Sequence, residues 1–464
     1  MDRLLISAAH KSSGKTTISI GLCHALSQRG HVVQPFKKGP DYIDPMWLGR
    51  ATGRPCINLD FYTMQHEEII QRLSQYGQGA GLSLIEGNKG LYDGLDLDGS
   101  NSNAALAQLV QSPVVLVIDV RGVTRGIAPL LLGYQSFCKD IHIAGVIFNQ
   151  VGGRRHESKL RAVIEHYTDI PVIGAVARDP VMGIDERHLG LIPSNEAPVV
   201  EKKISVISQR VADQVELDQL LAIAAKAPRL AETKLETAIR VQIPAIKIAI
   251  ARDAAFGFYY PDDLDAMQQA GAELVFFDTM QDKTLPEADG LFIGGGFPES
   301  FAEQLSANHA MRQSIHDAIE NGLPTYAECG GLMYLCRNIN WHNGSHDMVG
   351  IIPADVSMHE KPQGRGYIRL QETAQHPWPR DDTAEGQEIV GHEFHYSSLA
   401  RLDTSLPAVY KVLRGYGIDG QQDGLIYKNL LACYAHLRDT GQNHWTRRFI
   451  RFVHQCKQQT GGKQ

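Results

Sequence analysis

A chain of 464 residues has room for about three folding units of average size, or two larger ones, and is far too long for a peptide module. Hydrophobic residues at 43% and charged residues at 21% lie near the globular average, which excludes disorder as the dominant state. Lys plus Arg total 45 against 52 Asp plus Glu, and the formal net charge of −7 gives no electrostatic reason for a nucleic-acid partner, so a small-molecule substrate is expected.

In chain order, short apolar runs at residues 4–8, 32–36, 82–85, 114–118, 144–148 and 172–176 read as strands. The stretches 16–28, 67–75, 102–110 and 156–167 between them read as helices. Strands apolar on both faces and separated by helices predict a parallel sheet covered on both sides, with ligands at the carboxyl ends of its strands. Residues 199–230 read as helical and 231–244 as poorly periodic, so a connector over 193–244 with a boundary near Val241 is expected. A second series follows, with strands at 245–251, 273–277, 290–293 and 324–327 and helices at 262–270 and 299–321. The fold class is α/β, as two domains in series, and the polar tail 457–464 is expected to fray.

Directly after the first strand stands Ala9-His10-Lys11-Ser12-Ser13-Gly14-Lys15-Thr16-Thr17. A strand, a glycine-containing loop and a helix in that order aim backbone N–H groups and a helix N-terminus at an anion. The loop is therefore a candidate nucleotide-phosphate site, with Lys15 against the β/γ-phosphates and the Thr16 hydroxyl toward Mg²⁺. Ala9 departs from the pattern GxxxxGK[ST], which has Gly at that position. Asp41, Asp44, Glu86 and Asp93 follow later strands at the same sheet edge, where Mg²⁺ needs oxygen ligands, although Asp also collects in ordinary turns. Asn149, ending the strand at 144–148, is placed either to read a nucleotide base through its amide or to terminate its strand.

In the second series, Pro324-Thr325-Tyr326-Ala327-Glu328-Cys329-Gly330-Gly331 sets Cys329 on a small-residue turn between strand and helix, a nucleophile elbow with sulfur in place of hydroxyl. Such a turn is expected to expose the thiol, and the helix N-terminus to favour thiolate; the alternative is a buried, inert cysteine. His436, in Tyr434-Ala435-His436-Leu437-Arg438, is the candidate base. Gly295 and Gly296, in Gly294-Gly295-Gly296-Phe297, are candidate oxyanion donors. Cysteine, histidine and glycine nest point to acyl transfer from an amide. His392 and His395, three positions apart in a strand, fall on opposite faces and read as site wall or core instead of metal ligands.

Seven cysteines, widely spread and without a CxxC pair, indicate neither a disulfide framework nor zinc. The apolar runs fall well short of the about 20 residues a membrane span needs, so no membrane partner is expected. Residues 4–6 run into polar sequence without a signal-peptide h-region, and a cytoplasmic location is expected.

The order and spread of these motifs resemble the cobyrinate a,c-diamide synthase family. The matching residues are Ser13-Gly14-Lys15-Thr16-Thr17, Pro35-Phe36-Lys37, Gly39-Pro40-Asp41-Tyr42, Glu86-Gly87, Gly90-Leu91-Tyr92-Asp93-Gly94, Arg187-His188-Leu189-Gly190-Leu191, Glu328-Cys329-Gly330-Gly331 and Gly391-His392-Glu393-Phe394-His395-Tyr396. The resemblance implies a dethiobiotin-synthetase-like, P-loop ATP-binding domain over 1–192, a connector over 193–244, a class I-like glutamine amidotransferase domain over 245–445 and a C-terminal helix and tail over 446–464. It also implies that Ser13, Gly14, Lys15, Thr16 and Asn149 bind ATP and that Thr16, Asp41 and Glu86 manage Mg²⁺. Tyr42, Ile43 and Asp93 would then lie against the macrocyclic acid, Cys329 would attack glutamine, and His436 would be its base. The implied partners are ATP, L-glutamine and a tetrapyrrole polycarboxylate, with a homodimer left open. The implied reaction is amidation of the a and c acetates of cobyrinate through an acyl phosphate, on the route to cobalamin.

Two features bear on the match. The family pattern lacks the acid that most class I amidotransferases carry two residues after the histidine, and this chain likewise has Arg438 there, so another group, a backbone group among the candidates, must orient His436. Asn88-Lys89 replaces the more usual apolar pair between Gly87 and Gly90, and Lys89 could pair with a ring carboxylate, which keeps sirohaem or another sirohydrochlorin-derived ring as the alternative acceptor. A partitioning-type ATPase would not need Cys329 and His436, and a tetrapyrrole carrier would bind without amidating.

Overall fold

The computed structural model describes residues 1–187, 190–195, 200–230, 246–342, 344–379, 388–403 and 405–461. His188 and Leu189 of the Arg187–Leu191 motif, and the expected boundary at Val241, lie outside the described residues. The chain divides into two compact units, Met1–Glu236 and Thr237–Gln464.

In the first unit, seven strands form one sheet: β1 (Arg3–Ala8), β2 (Val33–Lys38), β3 (Ile57–Leu59), β4 (Leu82–Glu86), β5 (Val114–Asp119), β6 (Ile143–Val151) and β7 (Val172–Ala177). Their order is β3-β2-β4-β1-β5-β6-β7 and every pairing is parallel. The helices are α1 (Lys15–Gln28), α2 (Ile43–Thr52), α3 (His66–Tyr76), α4 (Asn103–Leu109), α5 (Ile127–Phe137) and α6 (Arg154–Tyr167); after a small ribbon of β8 (Glu186–Arg187) and β9 (Gly190–Leu191) come α7 (Val200–Ala212) and α8 (Leu217–Ala224). Alternate strand residues feed two layers. Leu5, Phe36, Ile85, Leu116 and Phe148 pack with Leu73, Leu106, Leu131 and Leu160 of α3 to α6. The other layer is built on α1, where a methyl group at Gly21 would strike Val211 of α7. The segment 193–244, expected as a connector, thus contains α7 and α8, which pack onto this unit.

Two helices of this unit escaped the periodicity reading. One, α2, grows straight out of the turn-rich run Gly39-Pro40-Asp41; its Pro45 sits in the first turn, where a missing N–H costs nothing. The other, α5, is apolar almost throughout and shows little facial pattern.

The second unit holds a mixed sheet of β12-β10-β13-β15-β24-β23-β22-β19-β20. In chain order its parts are β10 (Ile246–Ala251), β11 (Phe256–Phe258), α9 (Pro261–Gln269), β12 (Ala272–Phe277), β13 (Gly290–Ile293), β14 (Gly295–Gly296), α10 (Ala302–Ala307), α11 (His309–Glu320), β15 (Thr325–Glu328) and α12 (Gly330–Leu335). There follow β16 (Cys336–Trp341), β17 (Gly344–Asp347), β18 (Ile352–Met358), β19 (Gly364–Glu372), β20 (Glu388–His395), β21 (Ser397–Ala400), β22 (Ala408–Arg414), β23 (Gln422–Tyr427), β24 (Leu430–Cys433) and α13 (Trp445–Gly461). Pairings from β12 through β24 are parallel, and from β24 to β20 antiparallel. The helix expected over 299–321 is broken at Asn308, whose amide nitrogen bonds Thr279 and Asp282 carbonyls while its oxygen caps α11. Of the tail 457–464 expected to fray, residues 457–461 continue α13, which is anchored where Phe449 and Val453 are buried in the core beside Ile246, Ile248 and Tyr326; 462–464 lie outside the described residues.

Candidate active sites

The phosphate loop of the first unit joins β1 to α1 through Ser12 (φ 62°) and Gly14 (φ 83°), while Ala9 keeps an ordinary negative φ. The left-handed turns that the pattern assigns to its first glycine are therefore not needed at Ala9, whose carbonyl instead accepts the Tyr134 hydroxyl at 2.5 Å. Gly14 cannot be replaced: a Cβ there would lie 2.2 Å from Nδ2 of Asn149. That same nitrogen donates to the Ser13 carbonyl at 2.9 Å, so Asn149 braces the loop.

Below the loop, Thr16 Oγ1 donates to Glu86 Oε1 at 2.7 Å and to Asp44 Oδ2 at 3.1 Å. Lys37, at the end of β2, sits among three carboxylates: Asp44 at 2.5 Å, Glu86 at 3.1 Å and Asp41 at 3.6 Å. Burial alone would lower the Lys37 pKa, but these carboxylates hold it well above the usual lysine value. Lys15 is lowered by burial and by Lys37. Burial also pushes Glu86 up against the pull of Lys37, and pushes Asp41 up to about 7 with Asp44 adding to the rise. The carboxylate that meets Thr16 together with Glu86 is Asp44, a residue absent from the expected Thr16, Asp41 and Glu86 trio; Asp41 reaches the cluster through Lys37 and caps α2 by accepting the Ile43 and Asp44 N–H groups. Asp44 stood among the carboxylates expected at this sheet edge, whereas Lys37 was not singled out for the cluster from sequence, although it lies near the end of a strand beside the loop.

Tyr42 and Ile43 are buried at the start of α2, and Asp93 is exposed on the loop after β4. Asp93 Oδ2 accepts the Gly90 N–H at 3.0 Å. The same loop is pinned from below by Asn103, fully buried, whose amide bonds Asn88, Gly90 and Ser7. Lys89 is exposed.

In the second unit, β15 ends at Glu328 and Cys329 takes φ 48°, ψ −101° before α12 begins, a strained conformation for a residue with a side chain. Its N–H donates to the Cys433 carbonyl at 2.7 Å. Contrary to expectation, Cys329 is buried, only 5% exposed, and its thiol is pushed up by burial and then by Glu299, with the Gly330 N–H opposing the rise without prevailing. Two close approaches gather the remaining pieces. A Cβ on Gly330 would lie 3.0 Å from the Gly296 nitrogen, and one on Gly295 would lie 2.6 Å from Cε1 of His436. The elbow, the glycine nest on β14 and the histidine thus meet.

His436 follows β24 and exchanges two backbone hydrogen bonds with His392, at 2.8 and 3.2 Å, while the two imidazoles stack 4.8 Å apart at 15°. His392 is buried and packs directly on the candidate base. On the other side, His436 Nδ1 lies 3.5 Å from Glu328 Oε2. Arg438 turns away from the site to pair with Asp262 at 2.6 Å and to cover the Tyr260 ring at 4.1 Å. Among the described residues no cluster of three or more His, Cys, Asp or Glu forms a ready metal cage, and no helix is long and apolar enough to cross a membrane.

Comparison with known proteins agrees with both halves. A family model described as the CobQ/CobB/MinD/ParA nucleotide binding domain matches residues 5–191, and one described as the CobB/CobQ-like glutamine amidotransferase domain matches residues 247–443. The cobyrinate a,c-diamide synthase of Magnetococcus marinus is 45% identical over 97% of this chain and 97% of its own length. Its counterpart from Methanosarcina acetivorans is 43% identical over 94% of this chain and 92% of its own, and that of Archaeoglobus fulgidus 40% identical over 97% of each. With relatives this similar along almost the whole sequence, the chain belongs to the cobyrinate a,c-diamide synthase family.

Proposed function

We propose that this chain amidates the a and c acetate carboxylates of cobyrinate, using ATP to activate the acid and glutamine as the nitrogen source. The observation that carries this reading is that relatives named for that reaction match along both halves, each of which holds its own constellation: Thr16 with Asp44 and Glu86 in one, Cys329 with His436 and the glycine nest in the other.

In the first unit, residues 1–192 act as the ATP-binding domain. A carboxylate is a poor acyl electrophile, so an acetate oxygen attacks the γ-phosphorus, ADP leaves, and an acyl phosphate forms. The loop N–H groups of Ser13 to Thr16 and the Lys15 ammonium hold the phosphates, Asn149 contributes through the loop it braces, and Tyr42, Ile43 and Asp93 wall the acceptor side. The donor set suits Mg²⁺: Glu86 Oε2 is buried with no hydrogen-bond partner among the described residues, and Thr16, Asp44, Glu86 and Asp41 offer only hard oxygens. When bound there, Mg²⁺ would neutralise charge on the phosphate oxygens.

In the second unit, residues 245–445 act as the amidotransferase domain. Because burial keeps the Cys329 thiol protonated, His436 takes the proton as sulfur attacks the glutamine carboxamide carbon; the N–H groups of Gly295 and Gly296 receive the oxyanion. The proton then goes to the departing ammonia, leaving a glutamyl thioester that water hydrolyses. Ammonia, unprotonated, adds to the acyl phosphate and expels phosphate, giving the primary amide.

The decisive assay incubates the chain with ATP, Mg²⁺, glutamine and cobyrinate and follows conversion of carboxyl to amide by mass spectrometry. Two conversions per ring are expected. Conversion of sirohaem and not cobyrinate would shift the assignment to the acceptor suggested by Lys89, and binding of the ring without any conversion would make the chain a carrier.

A further inference from the structure

We propose that Glu328, the residue immediately before the nucleophile, is the positioning carboxylate for His436, in place of the acid that Arg438 displaces from the position two residues after the histidine. The proposal rests on the reading of Cys329 and His436 given above.

The backbone exchange with His392 fixes where the His436 main chain lies but leaves its ring free to rotate about χ2. Three contacts remove that freedom: the stacked His392 ring on one face, the close approach of Gly295 at Cε1, and Glu328 Oε2 facing Nδ1 at 3.5 Å. Of these only the carboxylate distinguishes one ring nitrogen from the other. Facing Nδ1, it favours the tautomer that carries its proton there, with Nε2 unprotonated as the acceptor of the thiol proton.

Glu328 is itself held rigidly. It is 3% exposed, and its other oxygen, Oε1, accepts the Tyr326 hydroxyl at 2.6 Å and the Leu437 N–H at 2.9 Å. The second bond ties the carboxylate to the peptide that directly follows His436. Glu328 also pairs in register with Cys433 across β15 and β24, so the strand that ends in the nucleophile reaches over one rung to the strand that ends in the base. Arg438, meanwhile, is committed to Asp262 and Tyr260 and presents no acid to the imidazole. As the proton moves from Cys329 to His436, the buried carboxylate faces a developing imidazolium and stabilises it.

The test measures hydrolysis of free L-glutamine, and amidation of cobyrinate with ammonium chloride in place of glutamine, for the wild-type chain, Glu328→Gln and Tyr326→Phe. Glu328→Gln keeps the volume and an acceptor for Tyr326 and Leu437 but removes the charge. Its kcat for glutamine is expected to fall about 10²- to 10⁴-fold, as when the orienting acid of other triads is neutralised, with KM for glutamine and ammonia-supported amidation unchanged. Tyr326→Phe, which loosens the carboxylate without removing it, is expected to lower kcat for glutamine several-fold, again sparing the ammonia reaction, and it carries the test should Glu328→Gln fold poorly. Unchanged kcat in both variants overturns the proposal, as does equal loss of the glutamine and ammonia reactions, which marks a purely structural residue. A wild-type chain that hydrolyses no glutamine overturns the underlying reading of Cys329 and His436 instead.

Discussion

Thr16 Oγ1 and Glu86 Oε1 meet at 2.7 Å although 70 residues separate them, which joins the phosphate loop after β1 to the carboxyl end of β4. The parallel order β4-β1 makes this meeting a property of the fold: adjacent strands end at the same edge, so a carboxylate after one faces the hydroxyl after the other. Glu86 is fully buried there, and Lys37 compensates it. Replacing Glu86 by Gln leaves the shape and removes the charge. Ammonia-supported amidation by Glu86→Gln is expected to fall about 10²-fold or more and to require more Mg²⁺, while glutamine hydrolysis continues; steady-state kinetics across a Mg²⁺ series checks both.

Cys329→Ala separates the two chemistries in the opposite sense. It removes the sulfur but leaves the first unit untouched, so glutamine-dependent amidation should vanish and ammonia-dependent amidation should persist within about twofold. Loss of both would mean that the nucleophile lies elsewhere.

Much of this was legible in the sequence because the chemistry sits where strands end. The strand before Lys15 and Thr16 carries the apolar run Leu4-Leu5-Ile6, the one before Cys329 carries Tyr326-Ala327, and glycine marks the turn each time. Glu328, Lys37 and Asn103 were not legible in these roles. Each is a polar residue inside or at the end of a regular element, and what it touches depends on which strand lies beside it: Cys433 beside Glu328, Glu86 beside Lys37, and the loop 88–90 above Asn103. Pairing order is a tertiary property that periodicity does not carry. The buried state of Cys329 was misjudged for a related reason, since an elbow motif specifies a turn and says nothing of what covers it.

Asp93 and Asn103 hold one loop from two sides, so their replacements should differ in kind. Asp93→Asn keeps an oxygen for the Gly90 N–H but loses the charge beside Lys15, and is expected to impair amidation of the acceptor more than ATP binding. Asn103→Ala deletes the bonds to Asn88, Gly90 and Ser7 at a fully buried position and is expected to cost about 1–3 kcal/mol of stability in addition to raising KM for the ring. Nucleotide-binding titrations and thermal melts distinguish the two. Unchanged amidation kinetics in Asp93→Asn would remove that residue from the acceptor site.

Asp423 gives a prediction whose sign is unusual for a carboxylate. Fully buried, it accepts the N–H groups of Gly424, Tyr434 and Ala435 and so fixes the segment leading to His436, yet burial outweighs those bonds and pushes its pKa up to about 6. A folded carboxyl that holds its proton more tightly than the unfolded one contributes stability at low pH and loses that contribution as pH rises through about 6, the reverse of a salt-bridged aspartate. Asp423→Asn has nothing there to titrate. The stability of the wild-type chain relative to Asp423→Asn should therefore decline by about 1 kcal/mol between about pH 5 and about pH 7.5, measured by denaturant unfolding of both at each pH. A difference that grows over that interval would show that the three N–H groups, and not burial, govern the ionisation of Asp423.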